Sequence, residues 1–226
     1  MAAWVQGHWG AWTRRAFGLR VKTEGQPPKG AYLIASNHLS YLDILVLSGV
    51  FPSRFVAKSE IAGWPVIGPV AASTGTLFLV QADPRDVLRI GDAMRETLDA
   101  GVSVTLFPEG AASRGERVEP FHPALFAGPA KRGIPCLPVA LSYRALRSPE
   151  AEAITVCWWG EMSLPTHIWR LLNLGPVEVT VRWGDELLVE ADRKRLVARA
   201  QAEVEGLFQP VRQEPWPERG PFPRVD

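Results

Sequence analysis

Short apolar runs rich in β-branched residues alternate along this chain with longer stretches of helical period, and no other feature narrows its fold as far. Strand-like runs fall at residues 31–35, 54–57, 76–80, 102–107, 134–141, 154–158 and 177–183. Residues 85–100 place Val87, Ile90, Met94 and Leu98 on one helical face, and residues 193–208 do the same with Leu196, Ala200, Val204 and Leu207. Gly101 marks the end of the first of these helices. The stripes read as core, and a chain built this way buries a sheet between helices. The expectation is an α/β fold, a single domain with a central mixed sheet of about seven strands flanked by helices, plus an N-terminal amphipathic helix. Residues 1–22 are assigned to that helix, 23–208 to the main domain and 209–226 to a Pro-rich, loose appendage. A chain of 226 residues is long enough to bury such a core.

The corner between the run at 31–35 and the apolar residues from Ile44 onward carries Asn37, His38, Ser40, Tyr41 and Asp43. Strand-to-helix corners are where α/β folds tend to place chemistry. A neutral imidazole takes a proton from a hydroxyl, and a carboxylate fixes its tautomer and stabilises the imidazolium that forms. Residues five apart on a helix stand about 140° apart around its axis, so His38 and Asp43 meet only if His38 lies on the loop before the helix. A plainer reading makes Ser40 the N-cap and Asp43 the third helical residue of a capping box.

A second acid stands at the end of another run. The β-branched stretch from Val102 ends in Phe107 and Pro108, followed by Glu109 and Gly110. Proline cannot donate to a ladder, so it stops the strand. Glycine lets the backbone turn sharply or approach a ligand. Glu109 is thereby held at a strand end, where a solvated cap is the alternative.

Taken together these blocks resemble the glycerolipid acyltransferase family, typified by 1-acyl-sn-glycerol-3-phosphate acyltransferases and bacterial lysophospholipid acyltransferases. The Asn-His-x-Ser-x-x-Asp block is matched by Asn37, His38, Ser40 and Asp43, and the Phe-Pro-Glu-Gly block by Phe107, Pro108, Glu109 and Gly110. An apolar, proline-bearing strand is matched at 134–141, and the segments at 56–60, 75–79, 121–126 and 158–163 fall in the family's order. The resemblance covers roughly residues 20–190 and implies the HX4D mechanism. His38 deprotonates an acceptor hydroxyl, Asp43 orients the ring, and the alkoxide attacks an acyl thioester. Glu109 and Gly110 hold the acceptor. No Gly-x-Ser-x-Gly elbow is present, in keeping with direct transfer.

Two departures bear on the acceptor. Val80 and Gln81 stand where the family usually has an arginine, and Ala111 and Ala112 follow Gly110 in place of its threonine and arginine. Lys58, Arg85 and Arg114 are the candidate anion-binding cations. The expected acceptor is 1-acyl-sn-glycerol-3-phosphate, giving phosphatidic acid. Another lysolipid such as lyso-ornithine lipid, a thioesterase or hydrolase using the same pair on water, and a binder without turnover remain alternatives.

The net charge of +1 gives no case for nucleic acid. No Cys/His spacing suggests a metal, and no cofactor is expected beyond the acyl-CoA or acyl-ACP co-substrate. Cys136 and Cys157 read as buried free thiols. The uncharged stretch 61–82 is interrupted by glycines and prolines and reads as a broken helix followed by a strand, not a span. Val5, Trp9, Trp12, Ala16 and Leu19 form one helical stripe, opposed by Arg14, that suits an interfacial helix. Packing on the core satisfies the same stripe. Residues 164–174, with Trp169 and Leu172, are a second candidate for the membrane surface. His8, His122 and His167 lack an identifiable acid partner and read as structural or solvent-facing. The resemblance places the protein at the cytoplasmic face of the cell membrane, peripheral or monotopic, with lysolipid, acyl donor and membrane surface as partners.

Overall fold

The computed structural model describes residues 15–65, 67–80, 83–147 and 156–211. Within them seven strands form one sheet: β1 (Leu19–Glu24), β2 (Leu33–Ser36), β3 (Ser53–Lys58), β4 (Leu77–Leu79), β5 (Ser103–Leu106), β6 (Cys136–Ala145) and β7 (Val177–Trp183), in the spatial order β1-β7-β6-β2-β5-β3-β4. The helices are α1 (Leu42–Val50), α2 (Ile67–Ser73), α3 (Pro84–Asp99), α4 (Ala127–Lys131), α5 (Leu164–Leu174) and α6 (Arg193–Leu207). Pairings from β6 through β2, β5 and β3 to β4 are parallel, β7 runs antiparallel to β6, and β1 is parallel to β7.

Strand alternation sorts the core onto two faces. On one, Ile34 of β2 and Leu137, Val139, Leu141 and Tyr143 of β6 pack with Leu42, Val46 and Leu47 of α1 and Leu171 and Leu174 of α5. On the other, Leu33 and Ala35 of β2 and Ala140 of β6 pack with Ile90 and Met94 of α3 and with Leu196, Ala200 and Val204 of α6. Asp83 caps α3 through its side chain on the Arg85 amide, and Asp192 caps α6 on the amides of Lys194 and Arg195. Gly101, at φ 77°, ends α3 in the left-handed conformation that a side chain resists.

Several sequence expectations need correction. Leu19 is the first residue of β1, not the last of a helical stripe, and Arg20 to Lys22 belong to that strand rather than to an N-terminal helix. β1 escapes a period-2 reading because only Leu19 in it is buried. Ion pairs from Lys22 to Glu178 and from Arg182 to Glu24 tie this edge strand to its neighbour. Val5, Trp9, Trp12 and Arg14 lie outside the described residues, as does His8. Val156 to Trp158 form no strand. They are apolar because they pack under the loop before α1, where the Trp158 amide donates to Leu39 O at 2.9 Å. The appendage is also not loose from its first residue. The Gln209 amide donates to Ser142 Oγ at 3.0 Å, the Val211 amide to Gly115 O at 2.9 Å, and Val211 is buried.

The uncharged stretch after Ile61 resolves into a 3-10 turn (Ser59–Gly63), α2 and β4. No helix among the described residues is long and apolar enough to cross a membrane.

Candidate active site

The parallel strands β2, β5, β3 and β4 end on the same edge of the sheet, where open α/β folds bind ligands. β2 delivers Asn37 and His38 there, β5 delivers Phe107 to Gly110, and β3 ends on Lys58. Asn37 is fully buried and uses its side chain as a strand would use its backbone. Its Nδ2 donates to Leu141 O at 3.0 Å, and its Oδ1 accepts from the Leu141 amide at 2.7 Å. The loop is thereby fastened to β6 at the point where β2 stops.

His38 lies on the loop before α1, as its spacing from Asp43 requires. Its Nδ1 is 2.7 Å from Asp43 Oδ2. The same oxygen accepts the amides of Leu39 at 2.6 Å and Ser40 at 3.0 Å, and Asp43 Oδ1 accepts the Tyr143 hydroxyl at 2.6 Å. The other three partners are all donors, so Asp43 acts here as an acceptor and orders the imidazole with its proton on Nδ1. Nε2 is left as the basic nitrogen. The ring is 18% exposed while Asp43 is fully buried, which points the base outward and hides its partner. The His38 ring stacks on Phe107 at 4.2 Å between centroids and 16° between planes.

Asp43 also performs half of the expected capping box by reaching back to the Ser40 amide. The other half is a correction. Tyr41 is the N-cap, in helical φ/ψ, and the buried Ser40 hydroxyl has no partner among the described residues. With the carboxylate already on the first amides, the hydroxyl is not needed there.

Glu109 is buried and clips two loops together. Its Oε1 accepts the His38 amide at 2.7 Å and its Oε2 the Glu119 amide at 3.2 Å. Burial pushes its carboxyl up to about 8, with the Asp43 and Glu119 charges adding to the rise and the two amides opposing it. The His38 carbonyl in turn accepts the Ser113 amide at 2.9 Å. Gly110, at φ 75°, makes the turn that aims Glu109 inward, its amide returning to Phe107 O.

The candidate cations are less closely engaged. Lys58 is exposed at the end of β3, on the same sheet edge but two strands from β2. Arg85 is exposed in the first turn of α3, beyond β4. Arg114 is exposed with its guanidinium 4.3 Å from the centre of the Trp159 ring. Among the described residues no hydrogen bond, ion pair or ring contact joins Lys58 or Arg85 to His38, Asp43 or Glu109. Nor does any group of three or more His, Cys, Asp or Glu side chains there form a metal-holding cluster.

Sequence reasoning missed Tyr143, and it left His167 between a structural and a solvent-facing role. His167 on α5 is 2% exposed, and its Nδ1 lies 3.2 Å from the Tyr41 hydroxyl. Burial holds its ring down at about 4, with the Cys157 backbone opposing and Arg170 assisting. His122, by contrast, is exposed. Cys136 and Cys157 are both buried.

A buried carboxylate behind an outward-facing imidazole, with Phe107 and Glu109 beside them, is the arrangement that the ordered sequence blocks anticipate. The description Acyltransferase is that of the family model matching residues 18–142. The chain belongs to the acyltransferase family. A 1-acyl-sn-glycerol-3-phosphate acyltransferase of Neisseria gonorrhoeae is 35% identical over 172 residues, which are 76% of this chain and 66% of that protein. A lyso-ornithine lipid O-acyltransferase of Brucella abortus is 35% identical over 210 residues, 86% of this chain and 78% of that protein. The chain thus spans just under two thirds of the gonococcal relative's length. The crystal structure of the 1-acyl-sn-glycerophosphate (LPA) acyltransferase PlsC from Thermotoga maritima shares this α/β fold, with a TM-score of 0.62 and 22% identity, covering 91% of this chain and 79% of that one.

Proposed function

We propose that this member of the acyltransferase family moves a fatty acyl group from an acyl thioester, acyl-CoA or acyl-ACP, to the free hydroxyl of a lysolipid, with 1-acyl-sn-glycerol-3-phosphate as acceptor and phosphatidic acid as product. One observation carries the reading. His38 Nδ1 is fixed by Asp43 Oδ2 at 2.7 Å, which leaves Nε2 to take a proton from a hydroxyl. His38 Nε2 removes the acceptor's proton as its oxygen attacks the thioester carbonyl, and the imidazolium returns the proton to the departing thiolate. Asp43 stabilises the imidazolium through the interval. Glu109 and Gly110 shape the acceptor side of the site, and Lys58, Arg85 and Arg114 are the cations assigned to anionic groups of the two substrates.

A second acceptor, lyso-ornithine lipid, is favoured by a specific observation. The resemblance to the Brucella enzyme runs over more of both chains than that to the gonococcal one. A panel containing palmitoyl-CoA with either lysolipid, read by mass spectrometry of the products, separates the two. Phosphatidic acid as the preferred product supports the first reading, and diacyl ornithine lipid alone replaces it. Free palmitate without either lipid moves the assignment to a hydrolase.

The working place assigned to the enzyme is the cytoplasmic membrane surface. Exposure of Trp169 at 70% and Leu172 at 53% on α5, whose opposite face buries His167 and Leu171, supports contact with lipid there. The segment at residues 1–14 is proposed as a second contact on the strength of its sequence. Deleting residues 1–14 and replacing Trp169 and Leu172 by Ser should each reduce sedimentation with anionic liposomes. Unchanged sedimentation removes the corresponding contact.

A further inference from the structure

Oδ2 of Asp43 is crowded with three donors, yet all three come from the chain immediately before it, His38, Leu39 and Ser40. Those bonds pin Oδ2 but leave Oδ1 to be restrained from elsewhere. The restraint comes from 100 residues away. Tyr143 of β6 places its hydroxyl 2.6 Å from Oδ1, and both residues are shut off from solvent. We infer that Tyr143 is a positioning residue for the His38–Asp43 pair, holding Oδ1 so that Oδ2 stays aimed at Nδ1. The inference rests on the transfer reading for its kinetic part and on geometry alone for the rest.

The direction of the effect follows from the bond. A phenol donating to a carboxylate favours the charged form, and burial strengthens that preference because no water replaces the donor. Tyr143 itself stays a donor throughout, since burial and then the Asp43 charge push its hydroxyl well above its ordinary value. Without the phenol, Oδ1 is a buried acceptor with no partner, the carboxylate's charge weighs more on Oδ2, and the imidazolium it faces holds its Nε2 proton more tightly. The base then becomes available only at higher pH. A residue that merely fills the core has no such signature.

The test is Tyr143→Phe, which keeps the ring and removes the donor. Its control is Tyr32→Phe, which removes another buried phenol, one that donates to Pro28 O at 3.0 Å. For Tyr143→Phe the acid limb of the kcat/KM profile for lysolipid-dependent thiol release should move up by about one pH unit, the size of a lost charge-assisted hydrogen bond. At neutral pH kcat should fall about tenfold with KM for either substrate unchanged. The control should leave the profile in place. Ring ¹⁵N signals of His38, one of four histidines, report the same displacement without any turnover. If Tyr143→Phe fails to fold, 3-fluorotyrosine at position 143 preserves shape while strengthening the donor, and the limb should move down. Profiles and ring signals that coincide with the unmodified protein overturn the inference. Absent turnover with displaced ring signals overturns the transfer reading and leaves Tyr143 in its role.

Discussion

Replacing Glu109 by Gln should make the stability curves of the two proteins cross as pH rises. The native carboxyl is buried, and burial pushes it up to about 8 from an ordinary 4.5. The folded state therefore favours the neutral acid. Its contribution to stability is complete below about pH 4.5 and is lost progressively as pH rises through 8. At about 1.4 kcal/mol for each pH unit, the gap corresponds to about 5 kcal/mol as an upper figure. Glutamine carries no charge and lacks this slope, but it presents an NH2 group to either the His38 or the Glu119 amide, both of which now find an acceptor. A donor facing a donor costs about 1–3 kcal/mol. Near pH 5 the variant should thus be the weaker protein by about 1–3 kcal/mol, and near pH 9 the stronger by a few kcal/mol. Urea unfolding at half-unit steps across this range measures it, and slopes from all other groups cancel in the difference. Parallel curves refute the claim that Glu109 is held neutral by burial.

Three further outcomes follow from the same geometry. Asp43→Asn removes the negative charge that stabilises the imidazolium and puts a donating NH2 where one of two acceptor oxygens stood, so kcat should fall on the order of 10³–10⁴-fold with KM little changed, and a loss under tenfold contradicts the dyad. His167 is held down at about 4 from 6.5, so its neutral form stabilises the fold above pH 6.5 and that stability, about 3 kcal/mol, is lost as pH falls to 4. His167→Gln should flatten this acid loss in denaturant titrations, and an unaltered slope assigns the loss elsewhere. Lys58→Met, at an exposed strand end, should raise KM for the acceptor by about tenfold, equal to ~1.4 kcal/mol, and leave kcat alone. An unchanged KM removes Lys58 from the acceptor's phosphate.

Which parts of this molecule were readable in advance depends on how local their physics is. β7 and α6 follow directly from apolar periodicity, because each buries one continuous stripe. β1 does not, since an edge strand held by ladder bonds and surface ion pairs has no stripe to show. The reverse error at Val156 to Trp158 has the same root. Apolar residues there are demanded by a loop packed beneath Leu39, not by a ladder. Within the site, His38, Asp43 and Glu109 were legible because each falls inside a short ordered block. The choice between cap and dyad for Asp43 was a false one, as a single oxygen serves both. Tyr143 left no local trace. Its bond to Asp43 spans 100 residues and exists only because β6 lies beside β2 in the sheet. The position of Glu109, fastening the His38 amide to a loop ten residues further on, is likewise a product of the parallel pairing of β2 and β5.

The central claim is that His38 activates a lysolipid hydroxyl for attack on a thioester. Free-thiol release from palmitoyl-CoA tests it most directly, measured with and without 1-acyl-sn-glycerol-3-phosphate, in the unmodified protein and in His38→Ala. The account predicts release that requires the lysolipid and falls by at least about 10²-fold in the variant. Equal release by His38→Ala in a folded protein, or release indifferent to the lysolipid, contradicts it.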